Sequence, residues 1–77
     1  MSNLSEIVDG TIITVKEVPS SELSVKLVEM GIMKGTELKV LYRAPFGDPI
    51  AVDVNGYVLA LRKDEACMIE VEKSVAE

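Results

Sequence analysis

The 77-residue sequence predicts a mainly β domain, a small barrel of about five short strands with one short α-helix inserted after the first strand. Three observations support this fold class. Short runs rich in β-branched and alternating apolar residues recur along the chain. Asn55-Gly56, a typical hairpin turn, separates two such runs. Only Leu23 to Met30 shows apolar residues at helical spacing.

The first strand is predicted over Thr11–Val18, after a short lead-in at residues 4–7 and an Asp9-Gly10 turn. Ile13 and Val15 are expected to face inward. Val18 is out of phase with them, which indicates a bulge or the end of the strand.

The helix follows Pro19, with Ser20 or Ser21 as its N-cap and Gly31 at the position of a closing glycine. One apolar face is predicted from the spacing i, i+4 and i+7, and about three turns are expected. The members of this face are Leu23, Leu27 and Met30.

The next strand is predicted over Thr36–Arg43, after a turn at Lys34-Gly35. Alternation divides its side chains between two faces. The inward set is Leu38, Val40 and Tyr42, and the outward set is Lys39, Leu41 and Arg43.

The strongest local prediction is a hairpin with a two-residue type I′ turn at Asn55-Gly56. Its register pairs Val54 with Tyr57, Val52 with Leu59 and Ile50 with Leu61 on one buried face. The opposite face holds the smaller or polar side chains Ala51, Asp53, Val58 and Ala60. A slip of one residue would exchange the two faces, so turn and pattern predict the same register.

Arg62–Ala66 is a polar break with room for one helical turn, and Met68–Glu72 alternates again with Ile69 and Val71 inward. Short strands with one buried face can cover their edges by curling into a barrel. We therefore expect one SH3-like barrel domain over residues 1–77.

Composition argues against several classes of function. The net charge is −5 and the eight basic residues form no run, which disfavours binding to nucleic acid or to an anionic membrane surface. No apolar stretch approaches the roughly 20 residues of a membrane helix, and residues 1–6 lack the features of a signal peptide. Cytoplasmic localisation without direct membrane insertion is therefore expected.

The sequence also lacks a recognisable catalytic constellation, so no enzymatic activity is expected. It has no histidine, and its single cysteine, Cys67, excludes a disulfide and argues against a zinc site. Cys67 is expected to be packed or half-buried rather than reactive. Asp64-Glu65, Glu70 and Glu72 are interpreted as a solvated acidic face, so neither a metal site nor a cofactor is predicted.

Phe46 lies between two prolines in the loop from Ala44 to Pro49. An aromatic side chain on a stiffened loop could anchor a protein partner. It could equally fold back as a lid over the end of the barrel. The sequence favours neither alternative.

Three blocks of the chain resemble the FeoA family, the small partners of the FeoB ferrous-iron transporter. The blocks are Lys26-Leu27-Val28-Glu29-Met30-Gly31-Ile32 with Gly35, Ala44-Pro45-Phe46-Gly47-Asp48-Pro49-Ile50, and Leu59-Ala60-Leu61-Arg62-Lys63 with Glu65-Ala66, Ile69 and Val71. Lys34 and Phe46 depart from the family, which commonly has proline and often leucine at these positions.

The resemblance implies an SH3-like barrel that binds a FeoB-type GTPase-permease and regulates it or its assembly. The residues expected at that contact are Arg43, Ala44, Pro45, Phe46, Gly47, Asp48, Pro49 and Lys26. Arg43 is also the one arginine nominated for an arginine finger. The alternative is a metal-binding or metal-responsive domain related to the C-terminal domain of iron-dependent repressors. The oligomeric state is not predicted.

Overall fold

The structure, a computed structural model, describes residues 2–74. The elements in chain order are β1 (Ser2–Asn3), a 3₁₀ helix (Leu4–Glu6), β2 (Ile12–Glu17), α1 (Glu22–Glu29), β3 (Glu37–Arg43), β4 (Ile50–Val54), β5 (Tyr57–Leu61), α2 (Lys63–Ala66) and β6 (Glu70–Lys73). The mainly β class is confirmed, with a short helix after the first long strand. None of the described helices is long and apolar enough to cross a membrane.

The strands form one antiparallel sheet in the order β1-β6-β2-β3-β4-β5. About five strands were predicted, and the additional one is β1, whose two residues pair with β6 in the register Ser2↔Val71 and Asn3↔Glu70. Two residues are too few to show an alternating pattern, so the sequence gives no indication of this strand. β1 and β5 lie at the two edges of the sheet.

The sheet encloses an aliphatic core, and none of the described buried residues is polar or charged. Every strand except β1 contributes inward side chains. The fully buried members on the strands are Ile13, Val15, Leu38, Val40, Ile50, Val52, Val54, Leu61 and Val71, joined from outside the strands by Leu4, Leu27, Ile32, Ala66 and Ile69. Leu4 was expected only as part of a lead-in, but its amide donates to the Ile69 carbonyl at 2.9 Å and its side chain is buried.

The predicted hairpin register is confirmed, because Val54, Val52 and Ile50 face Tyr57, Leu59 and Leu61. Asn55 and Gly56 have φ values of 53° and 90°, as a type I′ turn requires. The burial of Tyr57 was predicted wrongly, since its side chain is 73% exposed. It lies beside the turn on an edge strand, where no neighbouring strand covers it.

On β3, one of the side chains predicted to face inward is exposed. Leu38 and Val40 are buried, but Tyr42 is 60% exposed. The pairing with β4 shifts between Val40 and Tyr42, so a bulge rotates the end of the strand out of the alternating pattern. On β2, by contrast, Ile13 and Val15 are buried as predicted. The register shifts between Val15 and Glu17, and the strand ends at Glu17, directly before the out-of-phase Val18.

α1 begins after Ser21, whose hydroxyl accepts a hydrogen bond from the Leu23 amide at 3.3 Å. Its predicted face is confirmed: Leu27 is buried, while Leu23 and Met30 pack against the core. Gly31 follows with a φ of 91°, which ends the helix in the left-handed region that glycine tolerates. With eight residues, α1 has about two turns rather than the three expected.

Candidate protein-binding site

The loop between β3 and β4 presents Phe46 to solvent. The Ala44 amide donates to the Pro49 carbonyl at 3.0 Å, and the Gly47 amide donates to the Ala44 carbonyl at 2.7 Å. These bonds close the loop on itself with Phe46 at its tip, where the side chain is 95% exposed. The lid interpretation is therefore wrong, and Phe46 makes no contribution to the buried core.

A side chain of the same loop contacts α2. Asp48 Oδ1 accepts a hydrogen bond from the Lys63 amide at 3.1 Å. Lys63 is the first residue of α2, so Asp48 satisfies one of the amides that a helix leaves unpaired at its start. This contact fixes the direction in which the loop leaves the barrel.

α1 contacts the same short helix. Lys26 Nζ lies 2.6 Å from Glu65 Oε2, and Glu65 Oε1 accepts from the Arg62 amide at 3.0 Å. Lys26 and the Phe46 loop are thus both connected to the N-terminal end of α2, one through the Glu65 carboxylate and the other through the Lys63 amide, although they are far apart in sequence. The sequence interpretation missed the two residues that join them, Lys63 and Glu65, because their role depends on tertiary contacts.

The pKa of Glu65 is lowered from its ordinary value of 4.5, first by the hydrogen bond from Lys26 and then by the one from the Arg62 amide. Both bonds favour the ionised carboxylate, since they would weaken when it is protonated. The connection between α1 and α2 is therefore pH-dependent in the acid range.

Glu65→Gln should lower the free energy of unfolding by about 1 kcal/mol near neutral pH, because the ion pair with Lys26 is lost and the Arg62 amide then donates to a neutral amide oxygen, a weaker acceptor than the carboxylate. Because the folded pKa is depressed, this contribution is complete above 4.5 and is lost as the pH falls through the folded pKa. Urea unfolding from about pH 7 to about pH 3 measures it. The wild type and the variant should converge in acid, and a difference that persists there would contradict the assignment.

Arg43 holds the N-terminal segment against β3. Its Nε donates to Asp9 Oδ1 at 3.1 Å, its Nη1 donates to the Ser5 carbonyl at 2.9 Å, and its Nη2 donates to the Ile7 carbonyl. The side chain is 28% exposed. An arginine finger must be free to reach a partner's nucleotide, so the nomination of Arg43 for that role does not fit its contacts.

Arg43→Ala should lower the free energy of unfolding by about 2 kcal/mol, because three hydrogen bonds from a charged group are lost. In a domain of this size that corresponds to a fall in Tm of about 10 °C. Arg62→Ala is the matched control, because its guanidinium is largely exposed and its ion pair with Asp64 is 3.9 Å long. Equal shifts for the two variants would show that the Arg43 contacts contribute little.

Two other sequence expectations concern metal and thiol chemistry. Cys67 was expected to be packed or half-buried, but it is exposed, with its thiol donating to Ser5 Oγ at 3.3 Å. Its position directly after α2 places it on the surface instead of in the strand. In residues 2–74 no group of three or more Cys, Asp or Glu side chains is arranged to hold a metal ion.

Comparison with known proteins identifies the family. Residues 2–73 match the FeoA domain family. The iron(II) transport protein A of Clostridium thermocellum is 42% identical, with a TM-score of 0.87 over 92% of this chain and 44% of that one. The FeoA of Stenotrophomonas maltophilia, solved with zinc and described as a prokaryotic SH3 domain protein, is 30% identical, with a TM-score of 0.79 over 94% and 91%.

A metal-responsive regulator shares the fold as well. The manganese regulator SloR is 20% identical, with a TM-score of 0.84 over 95% of this chain and 34% of that one. At that identity the likeness concerns the fold alone. The present chain spans less than half the length of the Clostridium thermocellum protein. The family match over residues 2–73 and the solved FeoA relatives lead to one conclusion: this SH3-like protein belongs to the FeoA family of ferrous iron transport.

Proposed function

We propose that this protein is a cytoplasmic, non-enzymatic accessory factor of ferrous iron uptake that binds a FeoB-type GTPase-permease. The contact is made by the loop from Ala44 to Pro49 together with the adjoining surface of α1 and α2. The observation that carries the proposal is the display of Phe46, an almost fully exposed phenylalanine on a loop fixed at both ends.

The energetics of binding favour such a residue. Aromatic side chains supply a large share of the binding free energy at protein interfaces when they enter a pocket on the partner. A loop that is already closed by its own hydrogen bonds loses little conformational entropy on binding. Phe46 therefore has the properties of an anchor, and the surrounding Pro45 and Pro49, both exposed, would form the rim.

The proposed partner follows from the family. The Stenotrophomonas maltophilia relative has been proposed to act as an activating factor of bacterial ferrous iron transport. Contact with the transporter itself is the route of activation that fits the exposed Phe46 on its closed loop. The exposed free thiol of Cys67 also suits a reducing compartment, which supports placing the contact on the cytoplasmic side.

Co-purification tests the proposal. The tagged chain is incubated with the full-length FeoB-type transporter in detergent, without nucleotide, with GDP and with a non-hydrolysable GTP analogue. Retention of the transporter in at least one state is expected. Val8→Ala, which shortens an exposed apolar side chain outside the loop, should behave as the wild type. If no nucleotide state yields a complex, the proposal is wrong.

A further inference from the structure

β5 is the long edge of the sheet. Among the described strands it pairs only with β4, whereas the opposite edge strand, β1, has just two residues. Natural edge strands are usually protected by a charge, a proline or a bulge, which prevents another chain from adding to them. Tyr57–Leu61 contains none of these, since its five residues are Tyr, Val, Leu, Ala and Leu paired with β4 in unbroken register.

The hairpin turn determines which backbone groups of β5 are free. In a two-residue hairpin the residues flanking the turn exchange both hydrogen bonds, and the pattern then alternates along the strand. Tyr57, Leu59 and Leu61 therefore bond to β4, and the N–H and C=O groups of Val58 and Ala60 face away from the sheet. Within residues 2–74, no turn, loop or cap hydrogen bond of the backbone goes to these four groups.

The side chains along this edge are accessible. Val58 is 61% exposed, Ala60 is also exposed, and Tyr57 is the second most exposed aromatic after Phe46. An uncharged strand with free backbone groups and exposed apolar side chains has the features of a surface that binds an added strand.

We propose that the added strand is β5 of a second copy of this chain, paired antiparallel about a two-fold axis beside Leu59. In this register Val58 faces Ala60 of the second copy, and Ala60 faces its Val58. Each facing pair exchanges two hydrogen bonds, so all four free groups of both copies are used. A two-fold contact of this kind closes on itself and gives a dimer instead of a filament.

The side chains of the same register are compatible with a second copy. Val58 packs beside Ala60 on the outer face, and Tyr57 lies beside Leu61, so each cross-strand pair is apolar. At the ends of the strand, Arg62 lies opposite Gly56 of the second copy. Gly56 adjoins Asp53, whose Oδ1 accepts the Gly56 amide at 2.9 Å, so an arginine of one copy meets a carboxylate of the other. This charge complementarity occurs twice by symmetry and favours a second copy as the occupant.

Mass measurement across concentration tests the dimer. Light scattering after size exclusion, with samples from about 10 μM to about 1 mM, covers the range of weak, small interfaces. The apparent mass should rise from the 8.4 kDa of one chain toward twice that value. Ala60→Pro should abolish the rise, because it removes an N–H that faces the free edge and leaves the bonds to β4 intact.

A second variant covers the case in which Ala60→Pro does not fold. Val58→Lys places a charge in the apolar contact and should also keep the protein monomeric at every concentration. Val25→Lys, at a position on α1 with nearly the same exposure, is the matched control and should dimerise like the wild type. Hydrogen exchange of the backbone amides is an independent measurement. The amide protons of Val58 and Ala60 should exchange more slowly as the protein concentration increases.

Two outcomes would overturn the proposal. The first is a mass that stays at one chain throughout the concentration range. The second is a dimer that survives Val58→Lys; if that dimer is lost in Phe46→Ala, its interface lies at the β3–β4 loop instead. A protein that stays monomeric leaves the proposed function intact, because binding to the transporter is measured separately by co-purification. A dimer interface at the β3–β4 loop would instead occupy the surface proposed for the transporter.

Discussion

Val52→Asp should leave the protein unfolded at 25 °C. Val52 is fully buried at the centre of β4, between Val40 on β3 and Leu59 on β5. The described core contains no polar or charged side chain, so a carboxylate there would have neither a hydrogen-bond donor nor a cation. Its desolvation, together with the loss of the valine contacts, costs several kcal/mol. A core of this size supplies only about 3–5 kcal/mol in total.

Circular dichroism and thermal unfolding measure this effect, and the variant should show no cooperative transition. Val58→Asp is the matched control because it introduces the same group on the outer face of the same hairpin, where it remains hydrated. That variant should fold with a Tm close to the wild-type value. A wild-type Tm for Val52→Asp would show that the hairpin does not turn this face to the core.

Phe46→Ala should weaken binding to the FeoB-type transporter by about 30-fold or more, which corresponds to at least 2 kcal/mol for an aromatic anchor. Folding should be nearly unchanged, since a side chain that is almost fully exposed adds little to the free energy of unfolding. Binding is measured by biolayer interferometry with the detergent-solubilised transporter, and stability is measured by thermal unfolding of the same preparations.

Phe46→Leu tests whether binding requires an aromatic ring at this position or only an apolar side chain. Leucine keeps an apolar side chain at the tip of the loop, so most of the affinity should remain. Undiminished binding by Phe46→Ala would exclude the anchor. A Tm lowered by more than a few degrees would mean that Phe46 supports the fold after all.

The hairpin was predictable because two independent local signals agree on one register. Asn55-Gly56 defines the turn, and the apolar residues of β4 and β5 alternate in phase with it. The α1 boundaries were predictable for a similar reason, since Ser21 and Gly31 occupy positions where local backbone geometry favours them. In each case the interactions lie within a few residues of one another in sequence.

Burial at the margins of the sheet was not predictable. Tyr57 and Tyr42 continue the inward alternation of their strands, yet both are exposed, one at the end of an edge strand and the other after a bulge. Leu4 shows the reverse error, because an isolated leucine in a short segment carries no periodic pattern and is nevertheless part of the core. The alternation of apolar residues indicates the side of the sheet to which a side chain points. It does not indicate whether other residues cover that side.

The sequence by itself determined the mainly β class, the hairpin register, one helix and the FeoA likeness, because these depend on local turns, short-range periodicity and motif spacing. Only the tertiary structure decided that Phe46 projects from the surface and that the Arg43 guanidinium is hydrogen-bonded to the N-terminal segment. It also decided that Lys26 and the Phe46 loop both contact α2. Those outcomes depend on contacts between residues distant in sequence, whose distances are set only when the sheet curls around its core.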